Sequence, residues 1–176
     1  IGVTGVQTCA LPIYWQVESW SFRGSQEELA ADFAGWHPDI QSFIKVIESP
    51  NKWALMLRPP LERWSVRRVS LLGDAAHSML PFLAQGAIMA IEDGYMLARC
   101  LERFEPVEAL ARYERARLAR TTKVVEGSYA NIHRFHNRTL ADPEQGRQFI
   151  EREWASARIS DRYDWLFRYD ATTEEI

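Results

Sequence analysis

Read by the spacing of its apolar positions, the chain opens on strands and then turns helical. Tyr14 to Phe22 is rich in aromatic and β-branched residues and roughly alternates, which predicts a strand. Ser25 precedes Gln26-Glu27-Glu28-Leu29-Ala30-Ala31-Asp32, a capping serine followed by glutamates in the first turn, and so predicts a helix. Pro38 opens a second helix with Ile40, Phe43, Ile44 and Ile47 along one face, and His37 before it reads as a turn or cap residue. Trp53 to Leu57 predicts another strand, ended by Arg58-Pro59-Pro60. Val69 to Leu72 is a short β-prone apolar run that stops at Gly73, as a buried strand does.

From Gln85 to Phe104 the period becomes helical. Ala87, Ala90, Gly94, Leu97, Leu101 and Phe104 form the expected apolar stripe, with Glu92, Arg99 and Arg103 on the wet side. The helix has no acidic residue in its first turn, which leaves its unpaired N–H groups and positive dipole end free for an anion. Pro106 restarts a helix to about Phe135, with Gly127 as the point where it would break. Ala111, Leu118, Val125 and Ile132 recur every seven residues and predict its packed face. Asp142-Pro143-Glu144 caps a further helix through about Ala157.

Charges complicate this pattern at two places. Asp93 falls beside the stripe with Met89 and Cys100, where a bare carboxylate is too costly to bury, so it reads as a rim residue reaching solvent or, the favoured expectation, as an anchor for backbone N–H groups or for an arginine of another domain. Arg112, Arg115, Arg117, Arg120 and Lys123, interleaved with Glu114, read as a solvated face or as a surface that docks acidic groups upstream. His133 and His136 stand three apart, a spacing that metal sites use, but no carboxylate or cysteine at helical spacing completes a set, and no metal is expected.

Composition narrows the class. A chain of 176 residues with 47% apolar content can bury one respectable core. The net charge of −3 argues against nucleic-acid or anionic-membrane partners, and no apolar run approaches bilayer length. Two cysteines, Cys9 and Cys100, give no disulfide framework, so a cytoplasmic location is the default. The seven tryptophans read as core filling or as an aromatic-lined pocket. Residues 1–13 resemble the in-frame translation of a sequencing-library adapter and are set aside, which makes Tyr14 an interior residue of a longer chain.

The stretch that organises the rest is Gly73-Asp74-Ala75-Ala76-His77, then Pro81, then Gln85-Gly86-Ala87 and a helix with Asp93 on its second turn. It resembles the second flavin-contacting motif of the FAD-dependent aromatic hydroxylases, with Ser78 where the family usually has proline. The strand, proline turn and Trp64 that lead into it agree in order. The tail Asp164-Trp165-Leu166-Phe167-Arg168-Tyr169-Asp170 is similar to the ending of the salicylate-hydroxylase-like branch, with Phe167 replacing a tyrosine.

The resemblance implies an α+β fragment of an α/β FAD/NAD(P)-binding fold, with few strands and a mostly helical C-terminal part. Residues 14–66 would end the substrate-binding sheet, 67–104 would contact FAD, and 105–176 would form C-terminal helices and tail. The implied reaction hydroxylates a phenolic aromatic acid with FAD as cofactor, NAD(P)H as cosubstrate and O2. The implied partners are a small aromatic substrate and O2, with association into a homo-oligomer left open. Asp74 would accept from the ribityl chain, the small Ala75 and Ala76 would let backbone approach the cofactor, and Gly73 would be among the cofactor-binding residues. Gly86, Ala87 and Ile88 would offer N–H groups to the flavin ring. Pro81 and Gln85 would line the substrate side, and His77 would serve as a structural hydrogen-bonding residue. Two rivals remain: a non-hydroxylating flavoprotein of this fold, such as an epoxidase or reductase, and a non-catalytic helical interaction domain.

Overall fold

The computed structural model describes residues 19, 21–52 and 54–176. Residues 1–13 and most of the strand expected over 14–22 therefore lie outside the described residues. The chain divides into two compact units, Ile1–Leu55 and Met56–Ile176.

In the first unit, α1 (Gln26–Asp32) starts on Ser25 through a full capping box with Glu28, and α2 (Pro38–Lys45) starts on His37, whose side chain accepts from the Asp39 N–H. Both starts are as the sequence predicts. Leu29, Phe33 and Ile44 are buried together, with Ile40 and Ile47 packed against them, while Phe43 stays exposed. Among the described residues, the strand pairing here is an isolated bridge between Arg23 and Asn51. The strand expected from Trp53 does not form over residues 54–57, because a β-prone run becomes a strand only where a neighbour pairs with it.

The second unit is built on two long helices, α4 (Gly86–Arg103) and α5 (Pro106–Ala130), packed side by side. Before them comes a short hairpin: β1 (Ser65–Val66) pairs antiparallel with β2 (Val69–Ser70), in register Ser65 to Ser70. This corrects the buried strand expected over Val69–Leu72. The pairing stops at Ser70, and Val69 is 69% exposed. The hairpin is held instead by α5, where the Glu114 carboxylate accepts from the Trp64 and Ser65 N–H groups at 2.8 and 2.5 Å. A single-turn helix, α3 (Asp74–His77), and a 3-10 turn, Pro81–Leu83, link the hairpin to α4.

The packed faces differ in phase from those expected. On α4 the buried row is Met89, Asp93, Met96 and Cys100, and on α5 it runs through Ala109, Tyr113, Arg117, Thr121, Val124 and Ser128. Both rows carry a charged residue at their centre, so scoring charge as wet rotates each predicted stripe away from the true one. Helix α5 continues through Gly127 and ends at Asn131, before α6 (Ile132–Phe135). The expected helix through Ala157 is two: α7 (Pro143–Glu153), capped by Asp142, and α8 (Ser156–Phe167), which takes up the first half of the tail. Among the described residues no helix is long and apolar enough to cross a membrane.

Candidate functional site

Gly73 has φ +61 and ψ −140, a backbone conformation that L side chains rarely adopt. A Cβ there would also stand 3.2 Å from the Ala90 Cβ on α4. The glycine therefore lets the chain turn sharply against α4 and delivers Asp74 to the start of that helix. A Cβ on Gly86 would lie 3.8 Å from Asp74 Oδ1. Asp74 and the first residue of α4, 12 positions apart in sequence, thus meet in space. Asp74 and Ala75 are exposed, and the Ala75 carbonyl accepts from Arg58 Nη2 at 2.8 Å.

Helix α4 starts at Gln85, with no side-chain cap and no acid in the first turn. Among the described residues the N–H groups of Gly86, Ala87 and Ile88 have no hydrogen-bond partner. Three such groups and the helix dipole make a locus for negative charge. Ala87 and Ile88 are exposed, while Gln85 is buried. Pro81 is exposed at the head of the 3-10 turn, and its carbonyl accepts from the Ala84 N–H at 3.1 Å. The eight residues singled out in the sequence therefore fall in one continuous segment, with Asp74 brought back onto Gly86.

Beneath this segment lies a buried polar network. Asp93 accepts from the Gly73 N–H at 3.0 Å, from His77 Nε2 at 2.5 Å and from Arg117 Nε at 2.8 Å. An ionised carboxylate only accepts, so the His77 proton sits on Nε2. Asp93 is thus both the backbone anchor and the arginine partner expected of it, except that the arginine comes from α5 of the same unit. His77 is 3% exposed and structural in position. Burial pushes the Asp93 carboxyl up, but the hydrogen bonds from His77 and Arg117 outweigh it and hold the group below the usual carboxylate range.

Arg117 corrects the reading of the basic run as a solvated or domain-docking face. Its side chain is 0% exposed, pairs with Glu92 at 2.7 Å as well as with Asp93, and donates to the Tyr169 hydroxyl at 3.1 Å. Arg120 grips Glu92 through two nitrogens, at 2.7 and 2.8 Å, and stacks 3.7 Å over the Tyr169 ring. Glu92, expected on the wet side, is thus the bridge between two arginines, and Arg99 donates to the Ala171 carbonyl at 2.7 Å. Two carboxylates balance two guanidiniums. One signal in the sequence could have found this: Tyr113, Arg117 and Thr121 continue an i, i+4 row between Ala109 and Val125.

His77 Nδ1 and Trp64 Nε1 are buried without a partner among the described residues, and the two rings lie 5.4 Å apart. Among the described residues no group of three or more His, Cys, Asp or Glu converges as a metal site. His133 packs edge-on to Tyr129, and His136 edge-on to Phe82.

The segment that carries the glycine turn, the exposed carboxylate and the acid-free helix start lies within a recognised family domain. The profile of the family described as FAD binding domain matches residues 12–128. The chain belongs to that FAD-binding family. A 3-amino-4-hydroxybenzoate 2-monooxygenase of Streptomyces platensis is 41% identical over 160 residues, which cover 89% of this chain and 39% of that protein. A 6-hydroxynicotinate 3-monooxygenase of Pseudomonas fluorescens is 45% identical over 120 residues, 66% of this chain and 31% of that protein. The chain therefore spans about two fifths or less of the length of these curated relatives.

Among solved structures, a salicylate hydroxylase substrate complex superimposes with a TM-score of 0.73 at 30% identity, covering 92% of this chain and 39% of that one. The Klebsiella pneumoniae HpxO structure with FAD and uric acid gives 0.59 at 26% identity, covering 78% of this chain and 35% of that one. The fold is thus that of an FAD-binding, salicylate-hydroxylase-like protein, represented here by its few-stranded, mostly helical portion.

Proposed function

We propose that this chain is the C-terminal part of an FAD-dependent monooxygenase that hydroxylates a phenolic or otherwise hydroxylated aromatic acid, using NAD(P)H and O2. The observation that carries the reading is the meeting of Asp74 with the uncapped, acid-free start of α4. The named relatives act on small hydroxylated aromatics, which supports the substrate class. FAD would supply the redox and oxygen chemistry when bound, and the protein's part is to place and tune it.

Asp74 accepts a hydrogen bond from the ribityl chain. Gly73 and Ala75 keep the backbone free of bulk on that side. The N–H groups of Gly86, Ala87 and Ile88 stabilise negative charge at the ring's edge, where a helix start is the favourable electrostatic partner. Pro81 and Gln85 face the substrate. Residues 67–104 would form the FAD-contacting segment, 14–66 the end of the substrate-binding domain and 105–176 the closing helices. The scarcity of cysteine fits a reducing cytoplasm.

Asp74→Asn tests the reading in this chain joined to the upstream portion of one of its relatives. The change keeps the shape and loses a charge-assisted acceptor, roughly 1.5–3 kcal/mol, or about ten- to a hundredfold in FAD affinity. Unchanged affinity on titration would remove Asp74 from the site.

A further inference from the structure

The C-terminal end of α5 carries three small or polar residues that the FAD reading leaves unused: Gly127, Ser128 and Asn131. All three meet the loop of residues 80–83. Ser128 Oγ donates to the Leu80 carbonyl at 2.5 Å, and Asn131 Nδ2 donates to the Phe82 carbonyl at 3.0 Å. A Cβ on Gly127 would stand 3.3 Å from Leu83 Cδ1, so the glycine makes room for the loop to approach. Ser128 and Asn131 are 0% and 1% exposed. The Asn131 amide is oriented from its other side, because its Oδ1 accepts from Arg134 Nη1 at 2.5 Å and from the Tyr163 hydroxyl at 3.3 Å. That arrangement leaves Nδ2 for the loop.

The two carbonyls held in this way belong to the residues on either side of Pro81. Glycine and serine are weak helix formers, so local helix stability does not account for Gly127 and Ser128 in the last turn of a 25-residue helix. Contact with the loop does. The cofactor end of the segment is held independently, through the Gly73–Asp93–Arg117 network. The two ends can therefore be loosened one at a time.

We propose that Ser128 and Asn131 are positioning residues that fix the Pro81 loop as a wall of the aromatic-substrate site, acting on substrate binding and turnover and not on FAD affinity. The proposal rests on the reading of Pro81 and Gln85 as the substrate side.

Asn131→Asp is the discriminating variant. It keeps the volume and the oxygen acceptor for Arg134 and Tyr163, yet has no N–H to give the Phe82 carbonyl. Ser128→Ala removes the other donor without adding charge. In the 176-residue chain alone, hydrogen–deuterium exchange should quicken in the loop at Ala84, whose N–H bonds to the Pro81 carbonyl, in both variants and stay unchanged over 106–124. Unchanged exchange in the loop overturns the clamp whatever the state of the cofactor.

In the chain joined to a relative's upstream portion, kcat/KM for a phenolic acid should fall about tenfold, the size of one buried hydrogen bond, while FAD affinity holds. An unchanged kcat/KM, or a parallel loss of FAD affinity, overturns the proposal. A joined protein that binds FAD in every variant yet hydroxylates no aromatic acid overturns the reaction assigned above and the substrate half of this proposal with it. The exchange data would then still judge the clamp.

Discussion

Arg117→Met is the sharpest single perturbation that the second unit offers. Methionine keeps much of the apolar stem and removes the guanidinium. Asp93 loses one of its three partners but retains His77 and the Gly73 N–H, and Glu92 retains Arg120. Breaking a buried ion pair from one side costs about 3–5 kcal/mol, and the surviving partners place this change near the lower figure, about 3. For a chain of this size each kcal/mol moves the melting midpoint by roughly 2–4 °C, so a fall of about 6–12 °C is expected. Urea unfolding should show a lower midpoint with an unchanged slope. The control is Arg147→Met, whose side chain is 56% exposed and pairs with Glu144 and Glu151 on α7, and which should change stability by under about 1 kcal/mol. Combined with Asp93→Asn, Arg117→Met should cost less than the sum of the two single changes, by about 0.5–3 kcal/mol. If Arg117→Met proves no more harmful than Arg147→Met, the network does not hold this unit together.

The other predictions address the same junction. A carboxyl whose folded pKa is lowered stabilises fully above its unfolded value, about 3.9, and loses that contribution as pH falls through the folded value. For Asp93, stability should therefore drop below about pH 4, and Asp93→Asn should flatten that acid limb in a pH titration of unfolding; an unaltered limb would exclude Asp93 as its source. Gly73→Ala meets both a positive φ and the Ala90 Cβ, and should cost about 1–3 kcal/mol in thermal unfolding. Ala90→Gly should restore only part of that loss, because the strained φ remains, and full restoration would assign the strain to the contact alone. Ala87→Asp, in an FAD-loaded protein, puts a carboxylate at the start of α4 and should lower the flavin midpoint potential. A potential that stays put or rises would contradict the helix start as the partner of the ring's negative edge.

What the sequence revealed and what it concealed divide along a physical line. Ser25, His37 and Asp142 announce helix starts because a cap bonds to N–H groups two or three residues away, and such chemistry is local. The acid-free helix start at Gln85 was legible for the same reason, since it is written in a few adjacent residues. The strand expected at Val69 failed because β-propensity describes a surface awaiting a partner, and only two residues of that run find one here.

The buried charges are the opposite case. Asp93 could be flagged as needing partners, because burying a bare carboxylate is prohibitive wherever it occurs. Its partners could not be named, since Gly73, His77 and Arg117 lie 20, 16 and 24 residues away and converge only once α4 packs on α5. Arg117 was misread for a stronger reason. A lone arginine among Arg112, Arg115 and Arg120 carries the same local signal as a solvated one, and its burial depends on carboxylates contributed by another helix. The glycine at 127 misled in the reverse direction. A glycine inside a helix costs only about 1 kcal/mol, a penalty that packing overrides, so α5 runs through it to let Leu83 approach and ends at Asn131, where the side chain turns to the loop. A helical residue whose presence local propensity does not explain, Gly127 here, is therefore one to test first for a partner far away in the chain.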